Sequence, residues 1–542
     1  MRKHAWRRTR AVAFTVVAAA TVLVAGAGSS LAASPTVSEI PAGAGSHGYP
    51  YDAVPQTPAI PGAPFINLGA VGYAEREFKM SGTATVYRQS GFWTSNGRWS
   101  VSPQTNVPYT TRLLVRYPTN PAKFNGTVVF EWLNDTTGGD QDPVWSQLYK
   151  QIINKGYAYV GVTAQRPGMG DLAAWDPLRY SGLGDGNDGA SYEIFTQAAN
   201  VVKANSATLL GGLAPKVLLG TGDSQSAFRV DTYVNAIEPL THAFDGFLAV
   251  GRAVDAAPIG EGLIASSPFP ALIRTDNTAP FIQLNTQGDI EELDAAAARQ
   301  PDNNDLRTWE LAGASHIDAH EGAYETETLA REFPTVEAPS CVLGTPISGT
   351  GTPIDGHNQP DNMPLFQVED AALASLQNWV TKGVQPPHSP TISTFPILFG
   401  AFDLVNKNRY GVGLGGIQMP DASVPTESYS ALNFAKPGEQ SLNPMQVMNE
   451  LEGVFTLLET GGITNKELRA QGLCLLSGYF TDLSPQTLSG LYPTTASYAA
   501  KFTAAVNSTE AAGFMTPEDA AEAIANANAG IGPLQEPPLK VP

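Results

Sequence analysis

The amino-acid sequence predicts an α/β fold in which a mostly parallel β-sheet is flanked by helices. Three observations support this: short apolar runs, longer amphipathic segments between them, and a change to this pattern near residue 125. Apolar runs of about five to eight residues are typical of strands that a parallel sheet buries on both faces. The runs are "TVVFEWLN", "YAYVGVTA", "KVLLGTG", "FDGFLAVG", "PFIQLN" and "TWELAG".

The first residues are typical of an export signal. "MRKHAWRRTR" is cationic, "AVAFTVVAAATVLVAGAG" is apolar, and Ser30-Leu31-Ala32 matches a cleavage site of small residues. We therefore expect residues 1–33 to be a signal peptide and the protein to be secreted, extracellular or associated with the cell wall. Arg7-Arg8 leaves the general and the twin-arginine export routes both open. An uncleaved membrane anchor is the alternative, and no other stretch is long and apolar enough to span a membrane.

Residues 34–70 connect the expected signal to the first strands. They are rich in Pro, Gly, Ala and Ser, so we expect an extended lead-in and not a packed element. "GTATVYR" and "TRLLVRYP" contain β-branched and aromatic residues, which predicts two strands at an antiparallel edge of the sheet. Residues 71–535 are expected to form one domain, and its last part, residues 325–535, shows Pro-rich connections and helical patterns.

Two insertions interrupt the α/β pattern at residues 165–192 and 252–279. Each follows the carboxyl end of a predicted strand, which is the edge where open α/β sheets bind ligands. Two uses are open for their apolar side chains: lining a lid over a site, or packing on the domain itself. These side chains are Trp175, Leu178, Tyr180, Ile259, Leu263, Phe269 and Leu272.

"TGDSQSA", residues 221–227, lies between a predicted buried strand and a predicted helix. A serine hydroxyl is a poor nucleophile until a base takes its proton, and it must be exposed to a carbonyl carbon. A tight strand-to-helix turn exposes such a serine when small residues lie two positions on either side. Those residues are Gly222 and Ser226, so the pattern is G-x-S-x-S in place of G-x-S-x-G. Ser224 is therefore the candidate nucleophile.

The residues that would activate this serine follow it in the chain order Ser, acid, His that accompanies the motif. His316 comes after a predicted strand and a small-residue turn in "WELAGASHIDAHEG", which makes it the candidate base. His320 is expected to be a surface or supporting residue. "PFIQLNTQGDIEELDAA" offers Asp289 as the candidate acid and Glu291 as the alternative, although acidic residues at a helix start are also simple partners of the helix dipole.

Acyl transfer also needs two backbone N–H groups that point at the developing negative oxygen. One is expected from Gln225, directly after the candidate nucleophile. The other is expected from the loop of residues 134–139 after "TVVFEWLN", whose glycines permit unusual backbone angles. Asn134 and Asp135 are the candidate donors in this oxyanion hole.

Several segments together resemble the large bacterial family of α/β-hydrolase domain proteins with a G-D-S-Q-S elbow, in its exported, actinobacterial form. The segments are "VVFEWLNDTTGGDQDPVW", "GYAYVGVTAQ", "DPLRYSGLGDGNDGASYEIFTQ", "GDSQSA", "WELAGASH", "LQNWVTKGVQPP", "GVGLGGIQMPDASVP" and "GFMTPEDAA". The resemblance extends over roughly residues 70 to 530. It implies an α/β-hydrolase fold with lid-like insertions and a helical C-terminal extension, so that residues 71–535 form a single catalytic domain.

The same resemblance implies serine-dependent hydrolysis, with Ser224 as the nucleophile and His316 as the histidine. Where the family has Glu-x-Asp after the penultimate strand, this chain has Gln287-Gly288-Asp289. The departure removes one acid candidate and keeps Asp289. The family's substrates are mostly unassigned, so the resemblance indicates the class of reaction but not the substrate.

Composition and the remaining motifs limit the ligands. The net charge of −19, from 32 basic and 51 acidic residues, disfavours nucleic acid. "GDGNDG" lacks the spacing of a calcium loop, "GVGLGG" does not follow the buried strand of a dinucleotide site, and no Cys/His cluster has zinc spacing. We therefore expect no cofactor and no metal. Cys341 and Cys474 are expected to form an intrachain disulfide, with two free thiols as the alternative.

These observations predict a secreted serine hydrolase that cleaves small-molecule or lipid-like carboxylic esters through an acyl-enzyme, with lactones and thioesters as near variants. Two other functions are open. One is a binding protein that keeps the fold without the activity, and the other is a serine peptidase, because the same residues can cleave amides.

Overall fold

A computed structural model describes residues 34–54, 66–136, 139–260, 268–277, 279–332, 359–397, 402–433 and 475–529. The expected signal peptide, Leu263, Cys341 and Cys474 lie outside these ranges. From Ser34 onward the described residues belong to one compact unit.

The main β-sheet contains ten described strands. They are β1 (Thr36–Ile40), β2 (Tyr73–Ser90), β3 (Ser100–Pro118), β4 (Thr127–Trp132), β5 (Ala158–Val162), β6 (Gly184–Asp185), β7 (Val217–Asp223), β8 (Gly246–Val250), β9 (Phe281–Thr286) and β10 (Leu306–Leu311). The order across the sheet is β1-β2-β3-β5-β4-β7-β8-β9-β10, and the short β6 pairs with β3. The pairs from β1 to β5 are antiparallel, and those from β5 to β10 are parallel.

Helices follow the strands and cover both faces of the sheet. The α-helices are α1 (Pro143–Lys155), α2 (Arg166–Trp175), α3 (Pro177–Tyr180), α4 (Ser191–Ala204), α5 (Ser206–Leu209), α6 (Gln225–Thr232), α7 (Glu238–Thr241), α8 (Gln287–Glu292), α9 (Ala319–Glu332), α10 (Leu365–Lys382), α11 (Pro420–Ser423), α12 (Pro485–Leu491), α13 (Thr495–Ala511) and α14 (Pro517–Ala529). Two small antiparallel pairs lie outside the main sheet: β11 (Thr394–Ile397) with β12 (Phe402–Val405), and β13 (Glu427–Ser430) with β14 (Tyr479–Asp482).

The predicted fold class is confirmed. Each of the six apolar runs overlaps one strand of the parallel region, and every residue of β4, β5, β7, β8 and β9 is buried. α4 and α6 pack on one face of the sheet, and α1 and α10 pack on the other. "GTATVYR" and "TRLLVRYP" lie in β2 and β3, which confirms the predicted antiparallel edge.

The expectation of an unpacked lead-in is wrong for the described part of residues 34–70. Thr36–Ile40 adds β1 to the sheet, and Tyr51 and Asp52 are buried. Arg112 and Arg116 of β3 donate to the carbonyl oxygens of Tyr51 at 2.9 Å and Asp52 at 2.5 Å. Composition did not predict this packing because the two buried arginines bind backbone carbonyls, which every residue type carries.

The insertions pack on the domain through some of their apolar side chains. Tyr180 and Ile259 are buried, whereas Leu178 and Phe269 are 78% and 68% exposed. Trp175 stacks on His47 with ring centroids 4.1 Å apart. None of the described helices combines the length and the apolar composition needed to cross a bilayer.

Candidate active site

Ser224 occupies a strained turn between β7 and α6. Its backbone angles are φ 54° and ψ −122°, a region that residues with a Cβ rarely adopt. Gly222 makes this turn possible because a Cβ at that position would lie 2.7 Å from the carbonyl oxygen of Ser226. The turn therefore presents Ser224 at the carboxyl end of the parallel sheet, as the motif predicted.

Ser226 replaces the second glycine of the usual pattern, and the structure shows how it is accommodated. Its side chain is buried, and its hydroxyl donates to the carbonyl oxygen of Leu133 at 3.2 Å. Leu133 directly follows β4 and is the first of the described residues 133–136 and 139–142, which we call the oxyanion loop. Ser226 therefore links the serine turn to this loop.

The structure brings Ser224, His316 and Asp289 into one hydrogen-bonded chain. The Ser224 hydroxyl lies 2.8 Å from His316 Nε2, and His316 Nδ1 lies 2.5 Å from Asp289 Oδ1. With Nδ1 donating its hydrogen to the carboxylate, Nε2 is left to accept the serine proton. Ser224 is 7% exposed and the other two residues are also buried, which strengthens the electrostatic interactions between them.

Asp289 is fixed at the start of α8 by a capping box. Its Oδ2 accepts the backbone N–H of Thr286 at 2.6 Å, and its own N–H donates to the Thr286 hydroxyl at 3.1 Å. Glu291, the alternative acid, accepts from Lys407 at 2.8 Å and from Gln287 at 2.9 Å. The structure thus places Asp289 against the histidine. The sequence signal that could have separated the two acids is Thr286 three residues before Asp289.

The loop that carries His316 is held by the C-terminal extension. The N–H of Ser315 donates to Asp361 Oδ2 at 2.7 Å, and the N–H of Ile317 donates to the carbonyl oxygen of Leu476 at 3.0 Å. Asp361 has no recognisable signal in the sequence, because its function depends on contacts between distant parts of the chain.

His320 lies inside the protein, so the expectation of a surface residue is wrong and that of a supporting residue fits. It donates from Nε2 to the carbonyl oxygen of Ser146 at 2.9 Å and stacks on Phe366 with ring centroids 4.6 Å apart. It thereby joins α9 to α1 and α10.

The charges around His316 set its affinity for a proton. Burial disfavours the charged imidazolium, but the charge and hydrogen bond of Asp289 and the charge of Asp223 together raise the pKa of His316 above its ordinary value. Asp223, directly before the serine, is itself buried, and this burial raises its pKa to about 7. A cation that forms on the histidine is therefore stabilised mainly by Asp289, with a smaller contribution from Asp223 where it is ionised.

The three candidate oxyanion donors differ in the structure. Gln225 is the first residue of α6, so its N–H has no acceptor within the helix. The N–H of Asp135 has no hydrogen-bond partner among the described residues. The prediction of Asn134 is wrong, because its N–H donates to the carbonyl oxygen of Gln141 at 2.9 Å. Asn134 instead supports the site, since its side-chain amide donates to the carbonyl oxygen of Asp223 at 3.0 Å.

The acidic residues of "GDGNDG" are engaged in ion pairs. Asp185 lies 3.0 Å from Arg166 Nε, and Asp188 lies 3.3 Å from Arg229 Nη2. Within the described ranges, no three His, Cys, Asp or Glu side chains are arranged to hold a metal ion.

The family model described as "Alpha/beta hydrolase domain" matches residues 36–525. Three solved structures are similar at low identity. An alpha-beta serine hydrolase homologue from Coxiella burnetii shares 14% identity over 41% of this chain and 90% of that chain, with a TM-score of 0.27. A dienelactone hydrolase described as putative, from Klebsiella pneumoniae subsp. pneumoniae MGH 78578, shares 13% identity over 47% of this chain and 98% of that chain, with a TM-score of 0.24.

The third, an inhibited esterase B from Lactobacillus rhamnosis, shares 14% identity over 43% of this chain and 76% of that chain, with a TM-score of 0.25. No curated protein matches the chain. Because the family model matches most of the sequence, this chain belongs to the alpha/beta hydrolase domain family.

Proposed function

We propose that this protein is a serine hydrolase that cleaves carboxylic esters through an acyl-enzyme intermediate. The observation that carries the proposal is the hydrogen-bonded chain from the Ser224 hydroxyl through His316 to Asp289, with separations of 2.8 Å and 2.5 Å. A nucleophile, a base and a group that orients the base are the three components of this chemistry. Membership of the hydrolase family supports the same reaction class.

In the first half of the reaction, Ser224 Oγ attacks the acyl carbonyl carbon while its proton passes to His316 Nε2. The carbonyl oxygen becomes an oxyanion, which accepts hydrogen bonds from the N–H groups of Gln225 and Asp135. The carbon–oxygen bond to the leaving group then breaks, and Nε2–H gives its proton to the departing alkoxide. The products of this half are an alcohol and an ester of Ser224.

In the second half, a water molecule attacks the Ser224 ester while His316 Nε2 takes its proton. The new oxyanion collapses, the acid leaves, and the proton returns to Ser224 Oγ. Asp289 stays ionised throughout and stabilises the imidazolium that forms in each half. Esters are favoured over amides because an alkoxide is a better leaving group than an amide nitrogen, and lactones and thioesters meet the same requirement.

Labelling with a fluorophosphonate tests this proposal without knowledge of the substrate. We expect a covalent adduct on Ser224 that is lost in Ser224→Ala and His316→Ala and kept in Ser489→Ala, which changes an exposed serine of α12. Substrates with one acyl group and either an ester or an amide link then separate an esterase from a peptidase. A folded protein without an adduct would contradict the proposal and favour a binding protein.

We also propose that the protein is exported and that residues 1–33 are removed. The cationic, apolar and small-residue sections of that segment support this. Expression of the full chain in a host with both export routes should yield a protein outside the cytoplasm whose first residue lies near Ala33. A product that retains Met1, or one confined to the cytoplasm, would contradict it.

A further inference from the structure

We propose that the first turns of α2 position both oxyanion donors, with Gln165 and Gly168 as positioning residues. The inference rests on the function proposed above. In this proposal, the start of the 165–192 insertion holds the two donor segments in place during catalysis. It can do so because it contacts both the oxyanion loop and Gln225, the residue after the nucleophile.

Gln165 joins the two segments that carry the donors. It lies directly before α2 and is 3% exposed. Its side-chain oxygen accepts from Trp132 Nε1 at 2.9 Å and from Gln225 Nε2 at 3.1 Å. Trp132 is the last residue of β4, and the oxyanion loop begins at the next residue. One oxygen atom thus fixes the origin of that loop relative to Gln225.

Gly168 allows the backbone of α2 to approach the oxyanion loop closely. A Cβ at this position would lie 2.0 Å from Asp140 Oδ1 and 2.7 Å from Asp135 Oδ1. Real Cβ atoms do not come this close to oxygen, so any side chain here must displace one or both carboxyl groups. Asp135 carries the proposed donor, so a displacement that reaches its backbone would move the N–H away from the oxyanion.

A third contact lies one turn further along the same face of α2. A Cβ on Gly139 of the oxyanion loop would lie 2.5 Å from Asp171 Oδ2. Positions 168 and 171 are neighbours on one helix face. The loop therefore rests on α2 at two separate points, in addition to the link through Gln165.

The carboxyl groups of Asp135 and Asp140 lie close together at this contact. Asp140 bonds to Arg112 Nη2 at 2.8 Å and to the Thr163 hydroxyl. Burial, with the neighbouring charge of Asp140, raises the pKa of Asp135 well above its usual range. A raised pKa favours the protonated carboxyl group, which places less negative charge beside the oxyanion that the N–H of Asp135 binds.

The test compares two glycine-to-alanine changes in the same helix. Gly168→Ala introduces the overlap described above, whereas Gly170→Ala adds a Cβ with no atom within 4 Å. Loss of one oxyanion donor typically lowers kcat by roughly 10²–10³-fold. We expect Gly168→Ala to lower kcat for an activated ester such as p-nitrophenyl butyrate by about 10- to 100-fold, with KM changed less than about twofold.

Gly170→Ala should keep kcat and KM within about twofold of the wild type, with both variants folded by circular dichroism. The rate of fluorophosphonate labelling should fall with kcat in Gly168→Ala, because the phosphonyl oxygen occupies the same hole. Gln165→Ala, which removes the oxygen that accepts from both Trp132 and Gln225, should lower kcat in the same way. This variant tests the inference if Gly168→Ala does not fold.

The result that would overturn the inference is a Gly168→Ala or Gln165→Ala protein with the kcat of the wild type, or with a raised KM alone. A wild-type protein that the fluorophosphonate does not label would instead contradict the proposed function. A labelled wild type with unaffected variants would contradict only the role of α2.

Discussion

Replacing Asp289 by asparagine should remove most of the activity while leaving the shape of the site in place. Oδ2 accepts the Thr286 N–H at 2.6 Å and Oδ1 faces His316 Nδ1 at 2.5 Å, so both carboxyl oxygens act as acceptors. Asparagine has one oxygen and one NH₂ group. If the oxygen stays on the Thr286 N–H, the NH₂ group faces Nδ1 and requires that nitrogen to be unprotonated.

The histidine must then carry its hydrogen on Nε2, where it can no longer accept the proton of Ser224. The opposite orientation of the amide places two donors against each other at Thr286 and loses one of the two hydrogen bonds of the capping box. The negative charge is absent in both orientations. The equivalent change in a Ser-His-Asp triad lowers kcat by about 10⁴-fold. We therefore expect a loss of about 10³- to 10⁴-fold, which corresponds to about 4–5.5 kcal/mol of transition-state stabilisation.

The assay is the steady-state hydrolysis of an activated ester by Asp289→Asn, with Glu291→Gln as the matched control. Glu291 is hydrogen-bonded to Lys407 and Gln287, so its change should alter kcat less than about threefold. An Asp289→Asn protein with more than about a tenth of wild-type kcat would refute this reasoning. A large loss in Glu291→Gln would transfer the role to Glu291.

Three further outcomes are expected. First, kcat/KM should decrease at low pH with an apparent pKa above about 6.5, because a histidine with a raised pKa stays protonated, and so cannot act as a base, up to a higher pH. A decrease centred well below pH 6 would contradict this. Second, burial raises the pKa of Asp421 from 3.8 to about 7, so the folded protein holds a proton that the unfolded chain releases, and stability decreases as pH rises between these values. Asp421→Asn should remove up to about 3 kcal/mol of the difference in unfolding free energy between pH 5 and pH 8, measured by denaturant titration; an unchanged difference would contradict it. Third, if Cys341 and Cys474 form a disulfide, the unreduced, denatured protein should contain no titratable thiol, whereas two per chain would indicate free cysteines.

The sheet was predictable because strands that are buried on both faces consist of continuous apolar residues, which are visible in the sequence. Each strand from β4 to β10 in the parallel region overlaps an apolar run, and the junction of β7 and α6 carries its own motif in Gly222 and Ser224. The order Ser, acid, His then indicated His316 as the base and Asp289, with Glu291 as the alternative, as the acid without any structural information. These features depend on residues close together in the chain.

Features that depend on contacts between distant segments were not predictable. The unpacked lead-in was a wrong expectation because Arg112 binds the backbone of Tyr51, and Asn134 was a wrong donor because its N–H is used by Gln141. Gln165 and Gly168 resemble ordinary loop residues until α2 is seen against the oxyanion loop. Their significance lies in distances of 2–3 Å between segments, which composition and periodicity do not encode.

The hydrogen bond from Ile317 to Leu476 has a consequence for biosynthesis. Ser224, Asp289 and His316 leave the ribosome long before residue 476 is translated. Until then, the Leu476 carbonyl group that accepts the Ile317 N–H and restrains the histidine loop is absent. A growing chain would therefore possess the reactive groups without their fixed arrangement. Competence to attack an ester would arise only near the end of synthesis, which separates the appearance of the serine from the appearance of its reactivity and limits reaction with acyl compounds inside the producing cell.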